Sequence, residues 1–370
     1  MACTPLYEWT GPEYQWPAYE NPCTWDGELT SAQQRAADRI TKAISHHETE
    51  LLTWAVCGAG KTEMLFPGIT EALKRGKRVG IATPRTDVVR ELLPRLREAF
   101  TGVYIQGLYG GSLEKDATAQ LLIATTHQLL RFKQAFDVLI IDEVDAFPYT
   151  HDPALPFAAD RAKKDISTTI YLTATPGKAY QTRMAKGKLP HIFVPRRFHG
   201  QPLPVPIFLM SHTLKKDVQK AKPPNRFYRW LTTRNNPNRQ LLIFVPTIEL
   251  AESFTQKLSA TLSDDTIMAV HASDHDREEK VQQFRDKKFQ ILVTTTILER
   301  GVTFPSVDVV VLDAGHAVFD EAALVQIAGR AGRSPDDPTG EVVFFHDGKT
   351  EAMVQAVRAI SKMNKRGGFR

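Results

Sequence analysis

Residues 55–62 read Ala-Val-Cys-Gly-Ala-Gly-Lys-Thr and follow an apolar run at 51–54. A glycine-rich turn in this position is typical of a strand that passes directly into a helix, and that unit favours a parallel α/β sheet. Gly58 and Gly60 allow backbone N–H groups to close around phosphate oxygens. Ala55 stands where the usual phosphate-loop pattern has its first glycine, so the prediction of nucleotide binding needs support from other motifs.

An acidic motif supplies that support. The apolar run 138–141 predicts a strand buried on both faces, and it leads directly into Asp-Glu-Val-Asp at 142–145. Carboxylates at such a strand end can hold Mg²⁺ and orient an attacking water, which phosphoryl transfer requires. In the loop, Lys61 adds a positive charge and Thr62 a hydroxyl ligand for the metal.

The rest of the chain predicts two α/β lobes. At 370 residues, the chain exceeds the usual size of a single compact core. Strand-like runs alternate with amphipathic helical stretches from about residue 25 to 206 and again over 239–370. A basic, proline-containing stretch at 207–238 predicts a connector that encloses one helix, and residues 1–24, rich in Trp, Tyr and Pro, predict an extended arm. We expect a ligand at the carboxyl ends of the strands.

The composition limits the possible functions. A net charge of +5 only mildly favours a polyanionic partner. Three cysteines, Cys3, Cys23 and Cys57, are too few for a disulfide framework or a four-thiolate zinc site. No apolar run approaches the ~20 residues of a membrane helix, and no signal-peptide pattern opens the chain. The sequence therefore predicts a cytoplasmic protein.

Two further motifs carry hydroxyl and guanidinium groups. A Thr-Ala-Thr motif, Thr173 to Thr175, ends another predicted strand. In the second lobe, Gln326 begins Gln-Ile-Ala-Gly-Arg-Ala-Gly-Arg, which contains Arg330 and Arg333. An arginine that reaches a phosphate site from another lobe neutralises charge developing on the γ-phosphoryl group.

In this order, over about residues 30–335, these motifs resemble those of a superfamily 2 helicase or translocase. The resemblance implies two tandem RecA-like lobes with parallel sheets and an ATP site in the cleft between them. Several segments are more specifically similar to the bacterial competence ATPase family ComFA, namely 51–63, 82–89, 125–132, 142–148 and 197–206. That family is implicated in drawing single-stranded DNA into the cell during natural transformation.

The resemblance implies an ATP-dependent single-stranded DNA translocase that uses ATP and Mg²⁺. ComFA proteins usually carry a four-cysteine zinc module before the first lobe, and Cys3 and Cys23 alone cannot form one. We therefore expect no zinc. Either the chain is truncated or it comes from a lineage without the module. The family also implies ComFC and the membrane channel ComEC as partners, a possible homo-oligomer, and possible peripheral binding at the inner face of the cell membrane.

By resemblance, the nucleotide-binding set lies in the phosphate loop and comprises Gly58, Ala59, Gly60, Lys61 and Thr62. Asp142 would hold Mg²⁺ through water together with Thr62, and Glu143 would orient the attacking water. Arg333 would be the arginine finger, with Arg330 beside the γ-phosphate and Gln326 closing the site. The residues expected to couple ATP to strand binding are Asp145, Thr173, Thr175, Arg300 and Gly301.

Gln33 has two competing interpretations. Its position matches the adenine-reading glutamine of the superfamily. It also completes a capping box with Thr30, because a Thr-x-x-Gln pattern satisfies two helix-start amides reciprocally. Gln34 is a further, less favoured candidate for the adenine contact.

Residues at strand ends resemble the nucleic-acid contacts of the superfamily. Hydroxyls and backbone amides there bind phosphate oxygens without reading bases, which suits a sequence-independent motor. The first-lobe set is Pro84, Arg85, Thr86, Gly110, Gly111, Thr125, Thr126, His127 and Gln128. The second-lobe set is Thr247, His271, Thr294, Thr295 and Thr296.

Three alternatives stay open. A PriA-like replication-restart helicase has a similar arginine motif, although the second lobe here lacks a cysteine-rich insertion. A DEAD-box RNA helicase fits less well, because the acidic motif ends in Val-Asp and Gln326 replaces a histidine. A non-motor module, in which ATP only gates DNA binding, would need neither Glu143 nor two arginines.

Overall fold

The computed structural model describes residues 11–114, 116–262 and 266–369, which form two α/β units. The first unit contains the described residues up to 55 and residues 60–194, and the second contains 56–59 and the described residues from 195 onward. Each unit is built on one parallel sheet. The prediction of two α/β lobes with parallel sheets is confirmed.

The sheet of the first unit has the strand order β3-β4-β2-β5-β6-β1-β7. Its strands are β1 Glu50–Ala55, β2 Val79–Thr83, β3 Ile105–Leu108, β4 Leu121–Thr125, β5 Phe136–Ile141, β6 Lys163–Thr173 and β7 His191–Val194. The helices are α1 Ser31–Ser45, α2 Lys61–Lys74, α3 Thr86–Ala99, α4 Ala154–Ala162 and α5 Lys178–Ala185, with a 3₁₀ segment at Thr126–Arg131.

Two apolar clusters hold this unit together. The larger one joins side chains of the central strands, such as Ile140, to α1, α2 and α3, for example through Ile40 and Leu96. The smaller one joins Leu139 and its neighbours to Leu155 of α4. Because adjacent residues of β5 contribute to different clusters, the strand is buried on both faces, as its apolar run predicts.

The sheet of the second unit has the order β10-β11-β9-β12-β13-β8. Its strands are β8 Ile207–Met210, β9 Gln240–Phe244, β10 Ile267–Val270, β11 Ile291–Thr294, β12 Val307–Val311 and β13 Val342–His346. Its helices are α6 Leu214–Gln219, α7 Asn225–Thr233, α8 Ile248–Leu262, α9 Arg277–Arg285, α10 Glu321–Ala328 and α11 Glu351–Arg366, with a 3₁₀ segment at Thr296–Leu298.

The predicted connector at 207–238 is folded into the second unit. It begins with β8, which pairs with β13, and it contains two helices rather than one. Leu214, Phe227 and Trp230 from this stretch lie in the apolar core beside β9. The basic and proline residues of the stretch concealed this core contribution, because they dominate its average composition.

The described part of the N-terminal arm, residues 11–24, has no helix or strand; residues 1–10 of the predicted arm, including Cys3, lie outside the described residues. The arm packs on the first unit through Tyr19 N, which donates to Leu73 O at 3.2 Å, and Thr24 N, which donates to Ala99 O at 2.8 Å. None of the helices in the described ranges combines the length and apolar character that a bilayer crossing requires.

Candidate ATP site and nucleic-acid interface

Strand order divides the predicted site residues that follow strands of the first sheet into two groups. The phosphate loop, the acidic motif and the Thr-Ala-Thr motif follow β1, β5 and β6, which are adjacent in the sheet. The predicted nucleic-acid contacts follow β2, β3 and β4, which form the other side of the same sheet. All these strands are parallel, so both groups lie at one edge, with the boundary between β2 and β5.

The phosphate loop changes direction at Gly60, which has a left-handed φ of 70° and precedes the first turn of α2. The left-handed conformation favours glycine, and a Cβ at this position would lie 2.3 Å from Nε2 of Gln33, so a larger residue would also have to displace the Gln33 amide. The free N–H groups at the start of α2 are directed out of the helix, where an anion is favoured. The local structure therefore fits a phosphate.

The first two residues of α2 fit ATP and Mg²⁺. Within the described residues, the Lys61 ammonium forms no ion pair and the Thr62 hydroxyl no hydrogen bond. No group of three or more His, Cys, Asp or Glu in these residues is arranged to hold a metal. Mg²⁺ does not require one, because it keeps several waters and binds through one or two protein ligands plus phosphate oxygens. Thr62 and Asp142 are the residues that would hold it.

The acidic motif begins immediately after β5. Asp142 N donates to Ala82 O at 2.8 Å, and Asp142 Oδ1 accepts from Glu143 N at 2.9 Å. Glu143 has a φ of 53°, which is a left-handed conformation that non-glycine residues adopt at a cost of about 1–3 kcal/mol. Such conformations concentrate at functional sites, because the surrounding structure must enforce them. This strain is consistent with the predicted role of Glu143.

Asp145 connects the acidic motif to the Thr-Ala-Thr motif. Its Oδ1 accepts a hydrogen bond from Thr173 Oγ1 at 2.5 Å, and its Oδ2 accepts one from Thr175 Oγ1. Trp54, in β1, donates from its indole nitrogen to Ala174 O at 2.9 Å. The ends of β1, β5 and β6 are therefore joined through side chains as well as through the sheet.

Gln33 forms the predicted capping box at the start of α1. Its Oε1 accepts from Thr30 N at 2.8 Å, and Thr30 Oγ1 accepts from Gln33 N at 3.4 Å. The amide nitrogen of the same side chain lies beside Gly60. The carbonyl oxygen thus serves the helix cap, while the amide nitrogen faces the phosphate loop.

The predicted nucleic-acid contacts of the first unit differ in exposure. Gly110, Gly111 and His127 are exposed, and Arg85, Thr86 and Gln128 are partly exposed. In contrast, Pro84, Thr125 and Thr126 are buried, and Thr126 Oγ1 has no hydrogen-bond partner among the residues that the structure describes. The six residues that are at least partly exposed can therefore contact a nucleic-acid strand. The three buried residues instead shape the ends of the β-strands that carry those six.

The sheet of the second unit shows a similar division. Thr247, His271 and Thr294 follow or end β9, β10 and β11, which form one half of the sheet. The exposed Thr247 caps α8 by accepting from Leu250 N at 3.2 Å. His271 Nε2 lies 3.1 Å from Glu252 Oε1.

The three predicted threonines at the end of β11 also differ in exposure. Thr294 is buried and donates from Oγ1 to Val270 O at 2.8 Å. Thr295 is also buried, and only Thr296 is partly exposed. Of the three, Thr296 is the one whose side chain can contact a nucleic-acid strand.

The arginine motif follows β12 in the second unit. Gln326, near the end of α10, is buried, and its Oε1 accepts from Cys57 Sγ at 3.1 Å. Arg330 is 2% exposed and donates from Nε to Glu299 O at 2.9 Å and from Nη1 to Val302 O. These bonds anchor the main chain around the predicted coupling residues Arg300 and Gly301.

Arg333 is more accessible than Arg330. It is partly exposed, and its guanidinium donates from Nε to Gly329 O at 3.0 Å and from Nη1 to Thr303 Oγ1 at 3.3 Å. Of the two arginines, Arg333 has the side chain that solvent and ligands can reach. A third arginine, Arg197, contacts the same loop and is not among the predicted site residues, although it begins the segment 197–206 that resembles the ComFA family.

Family models and known structures match both units. Residues 26–178 match the type III restriction enzyme res subunit, and residues 223–335 match the helicase conserved C-terminal domain. Yeast (S. cerevisiae) Dbp5 bound to RNA and ADP BeF3 has a TM-score of 0.66 at 20% identity, covering 91% of this chain and 88% of that one. RecG bound to a three-way DNA junction has a TM-score of 0.61 at 19% identity, covering 93% and 47%. These structures establish the fold as two tandem RecA-like lobes.

Sequence relatives are more specific. Competence protein ComFA of Bacillus subtilis is 49% identical over 362 residues, which cover 98% of this chain and 77% of the relative. ComFA of Streptococcus pneumoniae is 40% identical over 348 residues, covering 93% and 79%. Transcription-repair-coupling factor of Staphylococcus haemolyticus is 24% identical over 379 residues, covering 93% and only 30% of that relative. The chain therefore belongs to the ComFA family of competence proteins, and it is an ATP-hydrolysing enzyme of the superfamily 2 helicase type.

Proposed function

We propose that this protein is an ATP-driven translocase on single-stranded DNA that contributes to DNA uptake in competence. The observation that carries the proposal is the division of each sheet into two halves. In each unit, three adjacent strands end in the residues predicted to contact a nucleic acid. The ATP motifs follow β1, β5 and β6 in the first sheet, and the arginine motif follows β12 in the second. Each unit thus presents a set of strand-end groups suited to phosphate oxygens.

The chemistry of hydrolysis is assigned to residues of both units. Lys61 and the amides at the start of α2 bind the phosphates, and Thr62 and Asp142 hold Mg²⁺, which neutralises phosphate charge. Glu143 orients the attacking water. Arg333 stabilises the charge that develops during transfer, with Gln326 and Arg330 supporting its loop.

Movement requires that ATP binding and hydrolysis change the contacts to the DNA. Asp145, held by Thr173 and Thr175, lies within the ATP half of the first sheet and is the element that transmits the nucleotide state there. Arg300 and Gly301 have the corresponding role in the second unit, between β11 and the arginine motif. Alternating affinity of the two sets for phosphates would then advance the protein along a strand.

The partners and location belong to the same proposal. As a ComFA family member, the protein would act with ComFC and with the ComEC channel at the inner face of the membrane, and the proposal includes assembly as a homo-oligomer.

Steady-state ATP hydrolysis with and without single-stranded DNA tests the proposal against a module that ATP merely gates. We expect DNA to stimulate turnover, and Glu143→Gln to abolish turnover while ATP-dependent DNA binding persists. Absence of stimulation, together with nucleotide-gated DNA binding in both proteins, would favour the gated module. Efficient unwinding of forked duplexes would favour the PriA-like alternative.

A further inference from the structure

Arg197 is buried in the second unit, and no carboxylate of the described ranges pairs with it. Its side chain is 2% exposed, and within the described residues its guanidinium bonds only to main-chain carbonyls. Nη2 donates to Ala331 O at 2.7 Å and to Gly329 O at 3.2 Å, and Nη1 donates to Gly332 O. All three acceptors belong to the loop 329–333, which we call the arginine loop.

A buried charge without a counter-ion is costly unless hydrogen bonds satisfy it. Burial, together with the smaller effect of the nearby charge of Arg333, lowers the pKa of Arg197 to about 10. The group therefore remains charged at neutral pH. The carbonyls that it contacts follow the C-terminus of α10, where a positive charge is favoured. A planar guanidinium can bind several of them at once, which an ammonium cannot.

The arginine loop has little freedom around this contact. Gly332 has a left-handed φ of 61°, and a Cβ there would lie 2.2 Å from Pro338 O. Arg333 Nε and Arg197 Nη2 donate to the same carbonyl, that of Gly329. A shift of the Gly329 carbonyl would therefore alter the hydrogen bonds of both guanidinium groups together.

The segment that carries Arg197 also contacts residues 56–59, which group with the second unit. Phe198 N donates to Gly58 O at 2.9 Å. A Cβ at Gly58 would lie 3.5 Å from Arg197 Nε, and this nitrogen is buried with no hydrogen-bond partner in the described part of the chain. Arg197 therefore lies between the main chain of the arginine loop and that of Gly58.

We propose that Arg197 is a positioning residue for ATP hydrolysis, which fixes the main chain of the arginine loop so that Arg333 keeps one orientation. The proposal rests on the proposed function, in which Arg333 stabilises the transferring phosphoryl group. Arg197 acts through the loop, and its removal displaces Arg333 without removing it.

Hydrogen exchange tests the positioning role independently of catalysis. In Arg197→Ala, we expect amides in the peptide 326–334 to exchange on the order of tenfold faster, because charged hydrogen bonds that restrain local opening are lost. Peptides from β9 and β12 should exchange as in the wild type. Arg196→Ala is the matched control, since the exposed Arg196 donates to Gly367 O at 2.6 Å and not to the arginine loop. Unchanged exchange in 326–334 would overturn the proposal.

A double-mutant comparison tests the effect on turnover. We expect Arg197→Ala to lower kcat about a hundredfold, as small displacements of reacting groups do, with KM for ATP little changed. Because Arg197 acts through Arg333, the double variant Arg197→Ala/Arg333→Ala should turn over at the rate of Arg333→Ala alone. Multiplied effects of the two substitutions would overturn the proposal.

Arg197→Lys provides a second variant, and the turnover of Arg333→Ala provides a control. If Arg197→Ala does not fold, Arg197→Lys keeps the charge but cannot reach the carbonyls together, and the same changes are expected at smaller size. If Arg333→Ala has wild-type turnover, the proposed role of Arg333 fails, and the exchange measurement still decides whether Arg197 holds the loop.

Discussion

Thr173 Oγ1 donates a hydrogen bond to Oδ1 of Asp145 at 2.5 Å, across the ends of neighbouring strands β6 and β5. Thr175 completes the pair by donating to the second carboxylate oxygen. Asp145 follows Glu143 by two residues, so these hydrogen bonds link the acidic motif to the Thr-Ala-Thr motif. This connection is the structural basis for the coupling proposed in the first unit.

We therefore predict that Thr173→Val weakens both the fold and the coupling. The substitution keeps the shape of the side chain but leaves a carboxylate oxygen without its donor, which costs about 1–3 kcal/mol. Chemical denaturation should show this loss in the free energy of unfolding, and the stimulation of ATP hydrolysis by DNA should fall. Thr182→Val, at an exposed position on α5, is the control and should change neither. Undiminished stimulation in Thr173→Val would refute the coupling role.

Lys61→Ala should abolish ATP hydrolysis, because it removes the positive charge next to the phosphates. Lys74→Ala, at the exposed opposite end of α2, is the matched control and should retain activity. Radiolabelled ATP hydrolysis provides the measurement. An active Lys61→Ala protein would mean that the phosphate loop has been misassigned.

The two arginines of the second unit should respond differently to substitution. Arg333→Ala should leave nucleotide binding and melting temperature nearly unchanged and lower turnover on the order of 10³-fold, as arginine fingers do. Arg330→Ala should also lower the melting temperature, because Arg330 is buried and bonded to the carbonyls of Glu299 and Val302. Fluorescent-nucleotide binding, thermal melting and ATPase rates separate the two. Near-normal turnover in Arg333→Ala would exclude it as the finger.

Gln33→Glu separates the helix-capping role of Gln33 from its predicted role in nucleotide binding. Glutamate at this position preserves the capping box, so stability should be maintained, whereas Gln33→Ala should lose about 1 kcal/mol. Glutamate also places a negative charge beside Gly60, which should raise KM for ATP on the order of tenfold, equivalent to about 1.4 kcal/mol. A wild-type KM in Gln33→Glu would show that Gln33 serves only the helix.

Strong local patterns made much of the fold predictable. The capping box predicted at Thr30 and Gln33 lies at the start of α1, and the apolar run at 138–141 lies in β5. The sequence does not predict the edge strands β7 and β8, because each has only four residues, most of them at least partly exposed, and neither gives a clear alternating pattern. Such strands are defined by their neighbours in the sheet.

The chemistry of the candidate site was predictable only where it depends on residue type. Motif order predicts which residues serve ATP, whereas the left-handed backbone of Glu143 and the burial of Thr125 and Thr126 depend on the surrounding fold. Arg197 shows the limit most clearly. Its partners are main-chain carbonyls more than 130 residues away along the chain, and no side-chain pattern encodes them.

The central claim is that ATP hydrolysis moves this protein along single-stranded DNA. Displacement of streptavidin from single-stranded oligonucleotides biotinylated at either the 3′ or the 5′ end measures that movement directly. The account predicts ATP-dependent displacement from one end only, and none with Glu143→Gln. ATP hydrolysis stimulated by DNA without displacement from either end would contradict translocation.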